Sequence, residues 1–374
     1  MKQTWLVAVA VLAGCHKTPH AVRAVTSEET TELATKYIAA AQPCIKHDID
    51  DLVDRDGLDA RLERRLSGTD VASARVAGGL TGGSLLATKV CAWMDGVTSY
   101  DLLRVRFVDG QARAILRRIT NGVGISYHEL LIARSSDDVP RIVDVYSYHI
   151  GEWVSDQIAD SIEATSGGAD AFESGRLIKR IGELEDQGKL GDALETLAQL
   201  PPAVRDLPAN RSWRLKLAGK ISPTAYLAAL DDIAKRFPDD ASIDLHRMDA
   251  AFMHQDYAAA LHAIDSFDAK IGPDPYWDGV RAQVLAMRKG PGDLEAADKD
   301  AAHAIAALPR LSVGTWGHLT IALAREQWPS ALADLDTLDK KFHLPQSDAM
   351  VRANPFFAGL VQTPEYAAWR AQHP

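Results

Sequence analysis

The sequence predicts a multi-domain protein, with an N-terminal α+β domain containing a four-stranded antiparallel sheet and a C-terminal all-α region of stacked helical hairpins. Two observations predict this fold class. Apolar residues alternate with a period of two only within residues 100–150, and helical spacing precedes and follows them. From residue 176 onward, a short pattern returns about every 34 residues, which is the length of one packed pair of helices.

The composition is that of an ordinary globular protein. Of the 374 residues, 47% are hydrophobic and 25% are charged. No uninterrupted apolar run reaches the ~18 residues of a membrane-spanning helix. The net charge of −10 argues against nucleic-acid binding through a broad basic face. These values exclude a polytopic membrane protein and a chain that is disordered over most of its length.

The N-terminus has the pattern of an export signal. Lys2 supplies a positive charge, and Trp5–Leu12 form a short apolar segment that is followed by small residues. The four residues LAGC, which end at Cys15, resemble the lipobox of bacterial lipoproteins. The resemblance implies that residues 1–14 are a removed signal peptide. It also implies that Cys15 carries a diacylglyceryl group and a fatty acyl chain such as palmitate, and that residues 15–26 tether the protein to a membrane.

The residue after the lipobox cysteine bears on location. His16 stands where this lipoprotein family has an aspartate when the protein is retained in the inner membrane. The expected location is therefore the cell envelope, lipid-anchored at the outer membrane, on either the periplasmic or the surface side. An ordinary signal peptide with an incidental cysteine is the alternative.

Residues 27–165 are predicted to form the α+β domain. Thr26 or Ser27 can cap a first helix, and two shorter helices are expected around Leu58–Leu66 and Leu85–Trp93. The remaining predicted elements are four strands and a closing helix, at Tyr100–Val108, Ala112–Thr120, Ile125–Ala133, Ile142–Ile150 and Glu152–Glu163.

The turn between the first two strands is a strong hairpin signal. It consists of Asp109-Gly110, a pair suited to the positive φ angles of a tight turn. The order of helices, four antiparallel strands and a helix resembles the nuclear transport factor 2-like (cystatin-like) fold, in which a curved sheet wraps a long N-terminal helix into a cone. Some members of that fold are enzymes with a carboxylate and a tyrosine in the cone, and many more bind small ligands or mediate contacts.

Four polar side chains on the third and fourth strands are candidates for a pocket in the cone. Alternation places Asp144, Tyr146 and Tyr148 on one face of the fourth strand, and it points His128 opposite to its neighbours on the third. A buried Asp144 beside a tyrosine or His128 would have a perturbed pKa suited to acid–base chemistry. The alternative is that the tyrosines pack in half-buried strands and the charged groups face water.

Two cysteines remain if Cys15 is lipidated. Cys44 and Cys91 are then an even pair in an oxidising compartment. A disulfide between them would close a loop of about 48 residues and add roughly 3–4 kcal/mol. Two buried free thiols are the alternative.

The second half of the chain repeats a short pattern at the start of every second helix. A small residue recurs at Ala193, Ala260, Ala297 and Ala331, and Tyr226 takes the corresponding place between the first two. The successive gaps are 33, 34, 37 and 34 residues. The small side chain lets the preceding helix pack closely. These segments resemble the start of the second helix of the tetratricopeptide repeat.

The resemblance implies a superhelical array of about five repeats over residues 176–345, joined to the first domain by a linker at residues 166–175. Residues 346–374 are expected to form capping helices, because a stacked array needs a cap over its last apolar face. The concave face of such an array suits an extended peptide or another protein.

The sequence contains no common catalytic or metal-binding motif. His246, His254 and His262 are spaced by eight residues, but no cysteine accompanies them, so ordinary surface histidines are favoured over a zinc site. The chain contains no Gly-x-Ser-x-Gly, His-Glu-x-x-His or dinucleotide fingerprint. No catalytic residue, metal or cofactor is therefore predicted.

The predicted function is that of a membrane-anchored, exported lipoprotein. It would act as a scaffold for an unidentified protein or peptide of the cell envelope, without catalysis. The alternative is a small-molecule-binding protein or an enzyme that uses the cone of the first domain. Converging side chains of Asp144, Tyr146 and His128 would favour that alternative.

Overall fold

The computed structural model describes residues 23–66, 84–121, 124–166, 169–238 and 241–373. These residues form a mixed α+β structure with one five-stranded antiparallel sheet and eighteen α-helices. The predicted signal peptide and Cys15 lie outside the described residues. In the described ranges, no helix is both long and apolar enough to cross a membrane.

The first helix begins with a capping box. The Thr26 side chain accepts a hydrogen bond from the backbone of Glu29, and the Glu29 carboxylate accepts one from the backbone of Thr26. Two orphan donors of the first turn are thereby satisfied. The helices of this part are α1 (Ser27–Ala41), α2 (Lys46–Leu52), α3 (Arg55–Arg65), α4 (Ser84–Trp93) and, after the sheet, α5 (Val154–Ser166).

The sheet is a meander in which each strand pairs with the next. Its strands are β1 (Val97–Val108), β2 (Gln111–Thr120), β3 (Gly124–Arg134), β4 (Pro140–Ser147) and β5 (Glu152–Trp153). Asp109 and Gly110, at φ 51° and 74°, make the turn between β1 and β2. The sheet thus has one strand more than the four predicted, because the first two residues of the predicted closing helix pair with β4 instead.

A glycine makes this fifth strand possible. Gly151 has a φ of 81°, and a Cβ there would lie 2.7 Å from the backbone nitrogen of Ser242 in the helical region. Only glycine combines this conformation with this approach. The β4–β5 turn therefore lies directly against the helical region.

One face of the sheet packs on the N-terminal helices. Helix α1 contacts β1, β2 and β4, and α5 contacts β4. The shared core is almost entirely apolar and includes Leu33, Tyr37, Leu116, Leu130, Ile142 and Ile158. A disulfide joins Cys44, after α1, to Cys91 in α4, with their Cα atoms 5.1 Å apart.

The helical region consists of successive helix pairs, each in contact with the next. The pairs are α6 (Ala169–Asp186) with α7 (Leu190–Ala198), α9 (Pro208–Ile221) with α10 (Pro223–Arg236), α11 (Asp244–Met253) with α12 (Tyr257–Ile271), α13 (Pro275–Arg288) with α14 (Asp293–Ala307), and α15 (Val313–Ala324) with α16 (Trp328–Phe342). A short helix, α8 (Pro202–Arg205), joins the first two pairs. Helix α6 begins within the linker predicted at residues 166–175.

Small residues allow close packing within these pairs. Ala193, Ala260, Ala297 and Ala331 each lie near the start of the second helix of a pair and are fully buried. Two short helices, α17 (Asp348–Ala353) and α18 (Pro364–Gln372), follow the last pair. Their apolar residues pack against α15 and α16, with Tyr366 fully buried. The C-terminal segment thus covers the apolar surface of the last helix pair.

The opposite face of the sheet packs on the helical region. Ile115, Ile119 and Tyr127 share a core with Phe267 of α12 and Trp277 of α13. The Tyr127 ring lies 5.4 Å from that of Phe267 and 6.2 Å from that of Trp277, between ring centroids. The sheet is therefore covered on both faces.

Candidate ligand cavity between the sheet and the helices

His128, the first predicted site residue, lies in the core against α1 and α4. Its Nδ1 is 2.8 Å from the Tyr100 hydroxyl, and its ring packs on Trp93 with centroids 4.7 Å apart. Burial lowers the pKa of His128 well below its usual value, so the imidazole is neutral at pH 7. These contacts are those of a core histidine.

Asp144 is fully buried where β4 meets α3 and α5. Its carboxylate accepts hydrogen bonds from Arg61 Nε at 2.8 Å and from the Ser155 hydroxyl at 2.5 Å. Two further bonds come from the backbone nitrogens of Val145 and Ser155. Burial raises the pKa of Asp144, and the bonds from Ser155 and Arg61 oppose the rise. Asp144 thus joins two helices to the sheet.

Tyr146 and Tyr148 lie together at the end of β4. Their ring centroids are 5.0 Å apart, and Tyr146 also packs on Trp153. The Tyr148 hydroxyl donates to Glu129 at 2.6 Å. The structure therefore brings the two tyrosines together but gives them different partners from those of Asp144 and His128. The four residues do not form a common site.

A cavity lies elsewhere, between the sheet and the helical region. Its volume is about 470 Å³, and its walls come from the start of β3, the β4–β5 turn, and helices α11, α13 and α15. The apolar lining includes Ile125, Leu245, Phe252, Trp277, Val280 and Trp316. The polar lining consists of His149, His246, Asp249, Tyr276, Gln283 and Ser312, with Gly124 completing the wall of β3.

Two of the polar groups come from one turn of α11. His246 and Asp249 are three residues apart, so they lie on the same side of the helix. Nδ1 of His246 is 2.8 Å from the hydroxyl of Tyr226 on α10, and that hydroxyl is 3.5 Å from the Asp249 carboxylate. The ring of His149, from the β4–β5 turn, lies 5.0 Å from the ring of His246.

The surroundings shift the pKa of each of these groups. Burial lowers the pKa of His246 to about 3 and that of His149 to about 4, so both rings are neutral at pH 7. Burial raises the pKa of Asp249 to about 6, against the hydrogen bond from Tyr226. Protein surrounds Asp249 on most sides, yet the open cavity exposes its carboxylate to solvent. Water in the cavity therefore moderates the rise.

Two buried nitrogens beside the cavity have unused hydrogen-bonding capacity. Nε2 of His246 and Nε1 of Trp277 have no partner within the ranges that the structure describes. Buried polar atoms in native proteins are nearly always paired, so such exceptions concentrate where a ligand or water is expected.

The aromatic wall is held in place by a buried ion pair. Asp274, directly before α13, accepts from Arg117 Nη1 of β2 at 2.6 Å and from the Tyr127 hydroxyl of β3 at 2.8 Å. Its carboxylate also caps α13 through the backbone nitrogen of Tyr276. The ring of Trp277 is fixed in turn by Tyr276 and Phe267, at centroid distances of 5.5 and 5.6 Å.

The histidines that suggested zinc are separated in the structure. His246 is bonded to Tyr226, His254 follows the last residue of α11, and His262 lies on α12. Across the described residues, no group of three or more His, Cys, Asp or Glu side chains is placed to hold a metal ion. The arrangement at the cavity is suited to non-covalent binding.

The sequence reasoning missed Asp249, Asp274 and the cavity itself. The strongest available signal was the recurrence of tryptophan near the start of the first helix in successive pairs, at Trp277 and Trp316. Both rings line the cavity.

No protein-family model, curated protein or solved structure matches this chain. Any ligand of the cavity therefore has to be inferred from the geometry of the cavity itself.

Proposed function

We propose that the protein binds a small, largely apolar organic molecule in the cavity between the sheet and helices α11, α13 and α15. The observation that supports this proposal is the cavity itself. Its volume of about 470 Å³ lies within the range of small-molecule sites, roughly 300–1,000 Å³. A largely apolar and aromatic lining with a few polar groups is usual for such sites.

The contacts that hold the cavity walls in place favour ligand binding without a rearrangement of those walls. The Asp274–Arg117 pair, both of whose side chains are buried, fixes α13 against the sheet. Gly151 brings the turn that carries His149 close to Ser242, near the start of α11. A preformed cavity avoids the free-energy cost of ordering its walls when the ligand enters.

The proposed setting is the cell envelope. The lipobox-like LAGC segment would anchor the chain through Cys15 at a membrane surface. In that setting the protein would capture or carry its ligand next to the membrane. The polar groups at the cavity serve as hydrogen-bonding partners in this proposal, and no catalysis is proposed.

Titration of the purified full-length protein with N-phenyl-1-naphthylamine, an uncharged apolar dye, tests the proposal. Val280→Phe places a larger side chain in the cavity, and we expect it to weaken dye binding by about tenfold or more. Val139→Phe makes the same change at a solvent-exposed position in the β3–β4 connection and should leave binding unchanged. Equal binding by all three proteins would refute the proposal.

A second candidate is the protein–protein scaffold suggested by the tetratricopeptide-like spacing. One observation favours it: helices α7 to α10 enclose a groove with an apolar floor and the charged residues Glu195, Arg205, Arg214, Asp232 and Arg236. Crosslinking of the membrane-anchored protein, followed by mass spectrometry, tests this function. A stoichiometric partner that is lost in Ala228→Glu and kept in Val280→Phe would support the scaffold. Recovery of the protein alone would contradict it.

A further inference from the structure

We infer that the ligand of this cavity carries a positively charged nitrogen, an alkylammonium group, which lies against the Asp249 carboxylate and the surrounding aromatic rings. The inference rests on the proposed function and narrows the class of molecule that the cavity accepts. It follows from the charges on the cavity wall, from the pairing of the carboxylates buried at the sheet, and from the aromatic lining.

Asp249 is an acidic residue on a wall that has no lysine or arginine. Its one hydrogen bond in the described structure is the long contact of 3.5 Å with the Tyr226 hydroxyl. The same ranges show no ion pair to this carboxylate. The cavity therefore presents a negative charge without a counter-charge from the protein.

Three carboxylates buried at the sheet are each paired with arginine. Asp144 pairs with Arg61, and Asp274 pairs with Arg117. Glu129 pairs with two arginines, at 2.6 and 2.9 Å. Asp249 has no such partner, and it is exposed to the solvent of the cavity. A cationic ligand would supply the partner that the other three carboxylates have within the fold.

The aromatic lining suits the same kind of ligand. Phe252, Tyr276, Trp277 and Trp316 all line the cavity that Asp249 faces. Ring faces attract ammonium groups within about 6 Å of the centroid, and tryptophan attracts them most strongly. The neighbouring histidines do not oppose this attraction, because burial lowers the pKa of both rings and leaves them uncharged at pH 7.

Other ligand classes fit less well. An anionic ligand would meet the Asp249 carboxylate and no basic side chain on the wall. A divalent metal ion would need several ligands, and no suitable group is found in the described ranges. A neutral molecule would leave Asp249 unpaired.

Titration calorimetry with three probes of similar length tests the inference. The probes are 3-phenylpropylammonium, 3-phenylpropan-1-ol and 4-phenylbutanoate, which differ mainly in the charge of the head group. At pH 7.5 we expect the ammonium to bind at least tenfold more tightly than the alcohol, and the carboxylate to bind most weakly. In Asp249→Asn the ammonium should lose about tenfold in affinity while the alcohol is unchanged.

A matched control and the other outcomes separate this inference from the proposed function. Asp231→Asn makes the same change at an exposed position of α10, away from the cavity lining, and should leave all three affinities unaltered. Equal or tighter binding of the alcohol or the carboxylate would overturn the inference, and so would binding of the dye without any binding of the ammonium. The proposed function would survive either result. Failure of the dye and all three probes to bind would remove both.

Discussion

The two faces of the sheet are both buried, but by different chemistry. Against the N-terminal helices, the core is mainly apolar, its histidine, His128, is neutral and hydrogen-bonded to Tyr100, and its ion pair, Asp144–Arg61, lies where β4 meets α3. Against the helical region, apolar side chains alternate with buried ion pairs such as Arg117–Asp274. The first face is packed as a single core, whereas the second resembles an interface between two folded units.

This difference explains why the cavity forms on the second face. An apolar core closes around its side chains until few voids remain. An interface held by ion pairs is positioned by the geometry of those pairs, and gaps between them persist where no side chain fills the space. The cavity lies beside the aromatic cluster that Asp274 fixes against β2 and β3.

The first prediction concerns a substitution that destabilises the contact between the sheet and the helical region. Asp274→Ala leaves the buried Arg117 guanidinium and the Tyr127 hydroxyl without this partner and removes the cap of α13. Removing one member of a buried pair costs about 3–5 kcal/mol, so we expect a loss of that size in the free energy of unfolding. Urea unfolding measures it.

Asp101 provides the control for this change. Its carboxylate lies 3.6 Å from the same guanidinium, that of Arg117, but is 39% exposed. Asp101→Ala should therefore cost less than about 1 kcal/mol. Equal losses in both variants would contradict a special contribution of the buried Asp274–Arg117 pair. Asp274→Ala should also weaken dye binding, because α13 carries Trp277.

The second prediction concerns a change that destabilises only the region where the sheet packs on the N-terminal helices. The Cys44–Cys91 disulfide spans 47 residues and joins segments that pack against α1. The Cys44→Ser/Cys91→Ser variant should lose about 2–4 kcal/mol, mainly because its unfolded chain is less constrained. Urea unfolding under oxidising conditions gives this loss, with wild type in reductant as a second measurement.

Ligand binding shows whether the two faces act independently. Under native conditions the serine variant should bind N-phenyl-1-naphthylamine as tightly as wild type, because neither cysteine lines the cavity. Loss of dye binding in a variant that is still folded would show that the cavity depends on the first face as well.

Local pattern predicts the elements, but it does not predict how the two halves meet. The Asp-Gly turn and the alternation on either side of it place β1 and β2, because both signals act within a few residues. Arg117 and Asp274 are 157 residues apart, and each looks like an ordinary surface charge in the sequence. Their pairing depends on the packing of α12 and α13 against the sheet, which no local period encodes.

Local pattern also does not predict which polar residues come together. Asp144 and His128 are polar residues in apolar strands, and the structure gives each of them a separate partner. Asp249 lies on a helix of mixed composition, where a carboxylate is unremarkable. Its significance comes from the aromatic rings that line the same cavity, and three of them, Tyr276, Trp277 and Trp316, belong to other helices.

The last and smallest effect concerns Asp249. Burial raises its pKa to about 6, so the folded protein holds this carboxyl's proton more tightly than the unfolded chain does. That contribution to stability is present at low pH and declines as pH rises from about 4 through 6. Asp249→Asn removes the charge, so we expect the unliganded variant to be more stable than wild type by about 1 kcal/mol above pH 7, a value reduced for solvent access.

The pH dependence of this difference identifies its cause. Tyr226 is bonded to Asp249, and His149, His246 and Tyr276 line the same cavity. The two histidines act on stability in the opposite sense. Their lowered pKa values make both proteins less stable below pH 6.5, but equally so, and the difference between the proteins cancels that effect. The variant's advantage should therefore shrink towards pH 5 in parallel urea titrations. An advantage of zero at every pH would mean that Asp249 is as well hydrated in the folded protein as in the unfolded chain, with no electrostatic penalty for a cationic ligand to relieve.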